Sequence, residues 1–369
     1  MVRRALLLLA APALAVAIAL SVSALVLLAS GDNPIDIYQG MWAYGWQLNS
    51  IISTIDRAVP YYLAGLAVAV GFKMNLFNIG VEGQYYLATI VAAVVGAAVH
   101  LPAPLHVALI CAVAMATGAL WAGIAGVLKA TRGVNEVIST IMLNNIVLLG
   151  FGAWLVARFR VDSAGLQSVT RDIPTSGWMP DLNGWLGWVG IDAPPGYRLT
   201  GFLLPAIAVG IAYYVLLWRT RFGYDLRASG LNPWAAASSG VDAKAMAVKA
   251  MLVSGACSGL VGMSFLLGDF HRYTGDFPTG LGFVGIAVAL LGRNHPVGIA
   301  LGALLWGFME RSAQQLDLQG VPKEIVRIMQ GVILLAVVVA YEVVRRIREA
   351  DQQRSVSAQV DDERVAEAA

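Results

Sequence analysis

Leu105-His106-Val107-Ala108-Leu109-Ile110-Cys111-Ala112-Val113-Ala114-Met115-Ala116-Thr117-Gly118-Ala119-Leu120-Trp121-Ala122-Gly123-Ile124-Ala125-Gly126-Val127-Leu128 contains no charged side chain. Wound as a helix it is about 36 Å long, enough to cross a hydrocarbon core of roughly 30 Å. A helix that is apolar on every side needs lipid or protein all around it. Nine other runs are mostly apolar and are candidate spans: 5–29, 58–72, 83–99, 135–157, 200–218, 248–268, 281–292, 297–315 and 325–343. The fold expected is all-α and integral to the membrane, with about ten transmembrane helices. Composition agrees, because 58% of the 369 residues are hydrophobic and 13% charged. Soluble domains carry about 25% charged residues, so soluble enzymes, disordered chains and fibrous repeats are excluded. With 25 basic against 23 acidic groups the chain is no nucleic-acid binder.

The first run follows Arg3 and Arg4 and contains Ala11-Pro12-Ala13, like a signal peptide. Its apolar stretch exceeds the usual 7–15 residues of such a leader, so it reads as a retained span. Runs 58–72 and 281–292 are short, and short or broken helices survive in a bilayer only where protein or a water-filled cavity covers them. Both are therefore candidates to line a pathway. Lysine and arginine concentrate in the loops that alternate with an inside N-terminus, so the expected topology is multi-pass with both termini cytoplasmic. One membrane domain is expected over 1–348, followed by a polar cytoplasmic tail, 349–369.

Catalytic chemistry is missing. None of the lysines follows a glycine, so there is no phosphate-binding loop. The four histidines are scattered, and Cys111 and Cys257 sit inside apolar runs, so no catalytic residue, metal site, disulfide or cofactor is expected. Gly280-Leu281-Gly282-Phe283-Val284-Gly285 matches a dinucleotide fingerprint by letter, yet it runs straight into an apolar span. That fingerprint needs a preceding strand. Small residues that let membrane helices approach closely are the better account, repeated at Gly255-x-x-x-Gly259 and Gly298-x-x-x-Gly302.

Two polar clusters interrupt the apolar pattern. Residues 72–84 hold Lys73, Asn75, Asn78, Glu82 and Gln84; the second cluster holds Asn135, Glu136, Asn144 and Asn145. Polar groups at membrane depth face a cavity or a partner. The first cluster is alternatively a solvated cytoplasmic turn, the second a set of interhelix bonds. Asn75, Asn78, Glu82, Gln84, Asn144 and Asn145 are the candidates for a substrate pathway. Gly80-x-x-Gly83 has an echo at Gly282-x-x-Gly285 on the opposite side of the membrane. The echo hints at inverted repeats, spans 2–5 against 7–10.

The longest inner loop, 219–247, contains Arg227-Ala228-Ser229-Gly230-Leu231-Asn232-Pro233-Trp234-Ala235-Ala236-Ala237-Ser238-Ser239-Gly240-Val241. Asn232 can cap a helix, Pro233 suits its first position, and Gly240 can end it in a left-handed conformation. The product is a short rigid knob between two spans, against which a soluble partner can push. The outer loop 158–199 carries Trp178, Trp185 and Trp188, suited to a membrane–water boundary or to docking a delivered-solute protein.

With these stretches, the chain resembles permease subunits of bacterial ABC importers of the branched-chain amino acid, ribose and nucleoside class, and is most similar to nucleoside permeases. The resemblance spans roughly 58–343. It rests on Phe77-Asn78-Ile79-Gly80-Val81-Glu82-Gly83-Gln84, on 133–144, on 227–241 and on 282–292. It implies a type II ABC importer architecture and a place in the bacterial plasma membrane. It implies as partners an ABC ATP-binding subunit, a second permease subunit (paralogue or copy), an extracytoplasmic substrate-binding lipoprotein and membrane lipid, and no nucleic acid. Arg227, Gly230, Asn232, Pro233, Trp234, Ala235, Ala236 and Gly240 would form the coupling helix. Importer permeases often carry Glu-Ala-Ala, three residues, then Gly; Trp234-Ala235-Ala236 and Gly240 keep that spacing, with tryptophan in the acidic place. The function implied is ATP-driven nucleoside import; simple-sugar import is the alternative, and an ion-coupled secondary transporter the more distant one.

Overall fold

A computed structural model describes residues 17–161, 168–188, 190–318 and 324–336, with single positions 339, 343 and 346. Residues 5–16 of the first expected span, and the expected tail 349–369, lie outside the described residues. The chain divides into two compact units, Met1–Tyr44 with Ser312–Ala369, and Gly45–Arg311.

In the first unit, α1 (Ala17–Ala29) is followed by α2 (Pro34–Gly45) at a bend of 117°. Asn33 produces the restart: its Oδ1 accepts from the Ile35 N–H at 3.1 Å, and Pro34 fills a helical position that needs no donor. Tyr38 ties the pair together by donating its hydroxyl to the Leu20 carbonyl at 2.9 Å. Residues 324–336 are helical as well.

The second unit is built around α3 (Leu48–Lys73), which is 26 residues long. The expectation of a short helix over 58–72 is thereby corrected. Asp56 and Arg57 ended the hydropathic run, but a charge does not interrupt backbone hydrogen bonding, and the helix continues past them to Leu48. Leu63, Ala64, Leu66, Ala67, Val68, Ala69 and Val70 are completely buried, making α3 the central stave. Around it lie α4 (Val81–Ala98), α5 (Ala103–Arg132) and α6 (Glu136–Ile146), which runs through a π-helical turn, Val147–Phe151, into α7 (Gly152–Phe159). The only strand pair among the described residues is antiparallel, β1 (Arg160–Val161) with β2 (Val169–Thr170). Next come α8 (Asn183–Trp188), α9 (Leu203–Arg219), α10 (Arg221–Leu231), α11 (Pro233–Ser238) and α12 (Ala243–Gly259). α13 (Met263–Phe265) and a second π-helical turn, Leu266–Phe270, extend α12. α14 (Leu281–Leu291) is short, as expected, and α15 (Pro296–Leu318) is long.

Five helices among the described residues are long and apolar enough to cross a membrane, or up to seven if each bent pair counts as one span. The close-packing role expected for the glycines is seen directly. α12 lies against α5, where a Cβ on Gly255 or Gly259 would strike the backbone of Gly118 or Ala114. At Gly282 a Cβ would come within 2.5 Å of the Glu82 nitrogen, and at Gly285 within 2.7 Å of the Ala64 Cβ. The segment before Gly280 is a loop, not a strand, so the dinucleotide reading has no support.

Candidate functional site

The second unit holds a buried polar frame, an exposed knob and a charged cavity. The frame grows from the break between α3 and α4. Asn75 takes a left-handed conformation, φ 58°, and turns the chain back along α3. Asn78 follows, 1% exposed. Its Nδ2 donates to Gln84 Oε1 at 3.0 Å and to Ser254 Oγ at 2.8 Å. Its Oδ1 accepts from Gln84 Nε2 at 2.9 Å and from the Gly80 N–H at 3.0 Å. Ser254 passes the link to α3 by donating to the Ala67 carbonyl at 2.6 Å. Asn144, from α6, accepts the Gly83 N–H and donates to the Ile79 carbonyl, both at 2.8 Å. Each amide is thus spent on protein partners, as a buried polar group requires.

Glu82 is 3% exposed, so it is no solvated turn residue. Its two carboxylate oxygens accept the N–H groups of Gly280 at 2.6 Å and Gly282 at 2.7 Å. A carboxylate on a helix N-terminus meets both free donors and the positive end of the dipole. Glu82→Gln replaces one acceptor by a donor facing a donor. We expect a loss of about 1–3 kcal/mol, read as a lower thermal midpoint of the purified protein; an unchanged midpoint would show that the clamp is not structural. The second cluster divides: Glu136 pairs with Lys129 and is buried, while Asn145, like Asn75, is exposed.

The knob is α10 and α11. Thr220 caps α10 by accepting the Gly223 N–H at 3.1 Å. Asn232 caps α11, its Oδ1 accepting from Trp234 and Ala235 N–H at 3.0 and 3.1 Å. Pro233 opens the helix, and Gly240 closes the turn at φ +84°. Leu231 is 89% exposed and Trp234 85%, whereas Ala236 beneath them is 4% exposed. The knob is anchored to α3: a Cβ on Gly230 would come within 2.7 Å of the Lys73 carbonyl and 2.8 Å of Met74. Arg227 donates to the Leu217 carbonyl and lies 6.0 Å from the Trp218 ring, which Lys73 approaches to 5.2 Å.

The cavity was not singled out by sequence. It measures about 560 Å³ and is bordered by Asp56, Arg57 and Tyr61 of α3, Tyr197 and Arg198 of the loop before α9, Asp269, and Glu310 and Arg311 of α15. Arg57 pairs with Glu310 at 3.0 Å, and Tyr61 donates to the same carboxylate. Arg198 pairs with Asp269 at 2.6 Å. Arg311 donates to the Tyr197 hydroxyl at 3.1 Å. Pro278 and Leu281 also line it, so the N-terminus of α14, gripped by Glu82, is part of its wall. The signal in the sequence was Asp56-Arg57, an ionisable pair beside an apolar run.

In the loop 158–199, Trp178 stacks on His271 with centroids 3.8 Å apart and donates its Nε1–H to the Ile173 carbonyl at 2.8 Å. Burial first, and then Arg198 nearby, lower the pKa of the His271 ring from its ordinary value. Trp185 and Trp188, on α8, are 74% and 95% exposed, free to meet a boundary or a partner.

The guanosine ABC transporter permease protein NupP of Bacillus subtilis is 36% identical over 343 residues, 90% of this chain and 93% of that protein. The nucleoside ABC transporter permease protein NupB of Lactococcus lactis is 31% identical over 89% of this chain and 90% of its own. A glucose ABC transporter permease protein of Haloferax volcanii is 32% identical, covering 88% of this chain and 85% of its own. No solved structure matches the chain. The family model described as branched-chain amino acid transport system/permease component matches residues 50–338, and the chain, a multi-pass membrane protein, belongs to that family of transport permeases.

Proposed function

We propose that this chain is the membrane-spanning subunit of an ATP-driven importer of nucleosides in the bacterial plasma membrane. What carries the solute class is the similarity to two nucleoside permeases over about nine-tenths of both chains. The glucose permease supports simple sugars as the second reading. The working form has about ten spans in the type II importer arrangement and both termini inside, with a membrane domain over 1–348 and a tail over 349–369. Its partners are ATP-binding subunits, a second permease (copy or paralogue) and an extracytoplasmic binding lipoprotein. Spans 2–5 and 7–10 are inverted repeats. The echoed glycine motifs meet where Glu82 accepts from Gly280 and Gly282, so they share one depth rather than lying on opposite sides of the membrane as expected. Their place at the N-termini of corresponding helices, α4 and α14, is what supports the repeat.

The contacts support a relay from the coupling element to the cavity wall. Arg227, Gly230, Asn232, Pro233, Trp234, Ala235, Ala236 and Gly240 form the coupling element, with Leu231 and Trp234 as its contact with the ATP-binding subunit. A push on it reaches Lys73 and Met74 through Gly230. From there the rigid frame of Asn78, Gln84 and Asn144 moves Glu82, which holds the wall of the charged cavity. The buried amides thus serve the pathway by holding its wall; Asn75 and Asn145 remain on exposed faces that can line it or meet the second permease. The test is uptake by liposomes containing the four-component assembly. ATP-dependent guanosine accumulation is expected. Accumulation by this chain alone, driven by an ion gradient without ATP, would overturn the proposal in favour of secondary transport.

A further inference from the structure

We propose that the charged cavity is a recognition site for the sugar hydroxyls of the transported solute, with Asp56 as the principal acceptor. The inference rests on the reading of the chain as a nucleoside permease. Its volume of about 560 Å³ lies within the roughly 300–1,000 Å³ of small-molecule sites.

The charges of its wall select a neutral solute. Asp56, Asp269 and Glu310 stand against Arg57, Arg198 and Arg311, so the lining has no net charge. Two of these carboxylates are held by arginines, Glu310 by Arg57 and Asp269 by Arg198. Asp56 differs. One oxygen accepts the Thr200 N–H at 2.8 Å, and among the described residues no arginine or lysine pairs with it at salt-bridge distance. A carboxylate on a central helix, bordering a cavity with acceptor capacity to spare, suits a ligand that brings hydroxyl donors. Thr200 fixes its orientation, so the acceptor is preorganised.

The cavity's other components fit the remainder of a nucleoside. Tyr61, Tyr197 and Phe265 bring aromatic surface to the same space, and a heterocyclic base stacks on aromatic side chains. Three arginines against three carboxylates give the wall no excess of positive charge for a phosphate, so a nucleotide gains nothing over its nucleoside. The site thus favours a neutral, hydroxyl-bearing solute with a planar base.

The experiment uses the complete importer in liposomes, with ATP and with binding protein saturated by each solute, and compares a ribonucleoside with its 2′,3′-dideoxy analogue. The unsubstituted complex is expected to move the ribonucleoside about tenfold faster. Asp56→Ala should lower that rate about tenfold, leave the analogue's rate unchanged, and bring the ratio near one. A ratio unchanged by the substitution, or equal losses for both solutes, would overturn the assignment and leave nucleoside transport standing. No ATP-dependent nucleoside uptake by the unsubstituted complex would instead sink the underlying reading, and this one with it. Should Asp56→Ala fail to assemble, Asp56→Asn, which keeps an acceptor for Thr200, is read on the same ratio.

Discussion

Gly255→Leu should leave little monodisperse protein after extraction from the membrane, and what remains should melt at a markedly lower temperature. A Cβ at this position would strike the Gly118 carbonyl oxygen and come within 2.5 Å of the Ala122 Cβ. On both sides the obstacle belongs to a helix backbone or to its first side-chain atom, so neither can rotate away. Only a separation of α5 from α12 makes room, and both helices are candidate spans of 28 residues or more with their extensions. Overpacking costs about 1–3 kcal/mol where side chains can shift; here we expect the upper end or beyond. Lipid offers no hydrophobic drive to hold such a crossing together, so close backbone approach is what stabilises it. Gly150→Leu is the control, since nothing lies within 4 Å of its Cβ. Comparable yield and midpoint for Gly255→Leu and Gly150→Leu would show that the α5–α12 contact does not hold the unit together.

Trp234→Ala should abolish coupled transport in a protein that folds normally. The ring is 85% exposed, so its loss removes little internal packing. The Asn232 cap and Pro233 remain, and alanine is a better helix former than tryptophan. Exposed aromatics at the centre of an interface carry about 2 kcal/mol or more each, a loss of roughly 30-fold in affinity. We therefore expect solute-stimulated ATP hydrolysis and uptake to fall by about that factor or more, with the thermal midpoint unmoved. Equal affinity of the two forms for the ATP-binding subunit would remove the knob from the coupling path. Gly230 and Ala236 make poorer probes, because both are packed inward and a bulky residue there would disturb folding as well as contact.

How far the sequence could be read varied from element to element. The caps of the knob were legible because capping is local: Asn232, Pro233 and Gly240 act within one turn of where they stand. Gly255 and Gly259 were legible as a close helix contact because small residues four apart share one face. The length of α3 was not. Hydropathy stops at Asp56-Arg57, although the helix does not, and those two residues then face partners some 140 to 250 positions away, Thr200 and Glu310.

The polar stretch 72–84 draws the line between the two sources. Its amides and its glutamate announced that something other than lipid surrounds them, since an unsatisfied polar group at that depth costs several kcal/mol. Composition and local pattern thus settled the class of molecule, its largely helical character and the caps of the knob. Which partner satisfies each group depends on helices that meet only after folding: Asn78 finds Ser254, Asn144 finds Gly83, and Glu82 finds Gly280 and Gly282. Hydrogen bonds fall off within about an ångström of their ideal length, so tertiary packing alone decided that these residues hold a wall together and where the charged cavity lies.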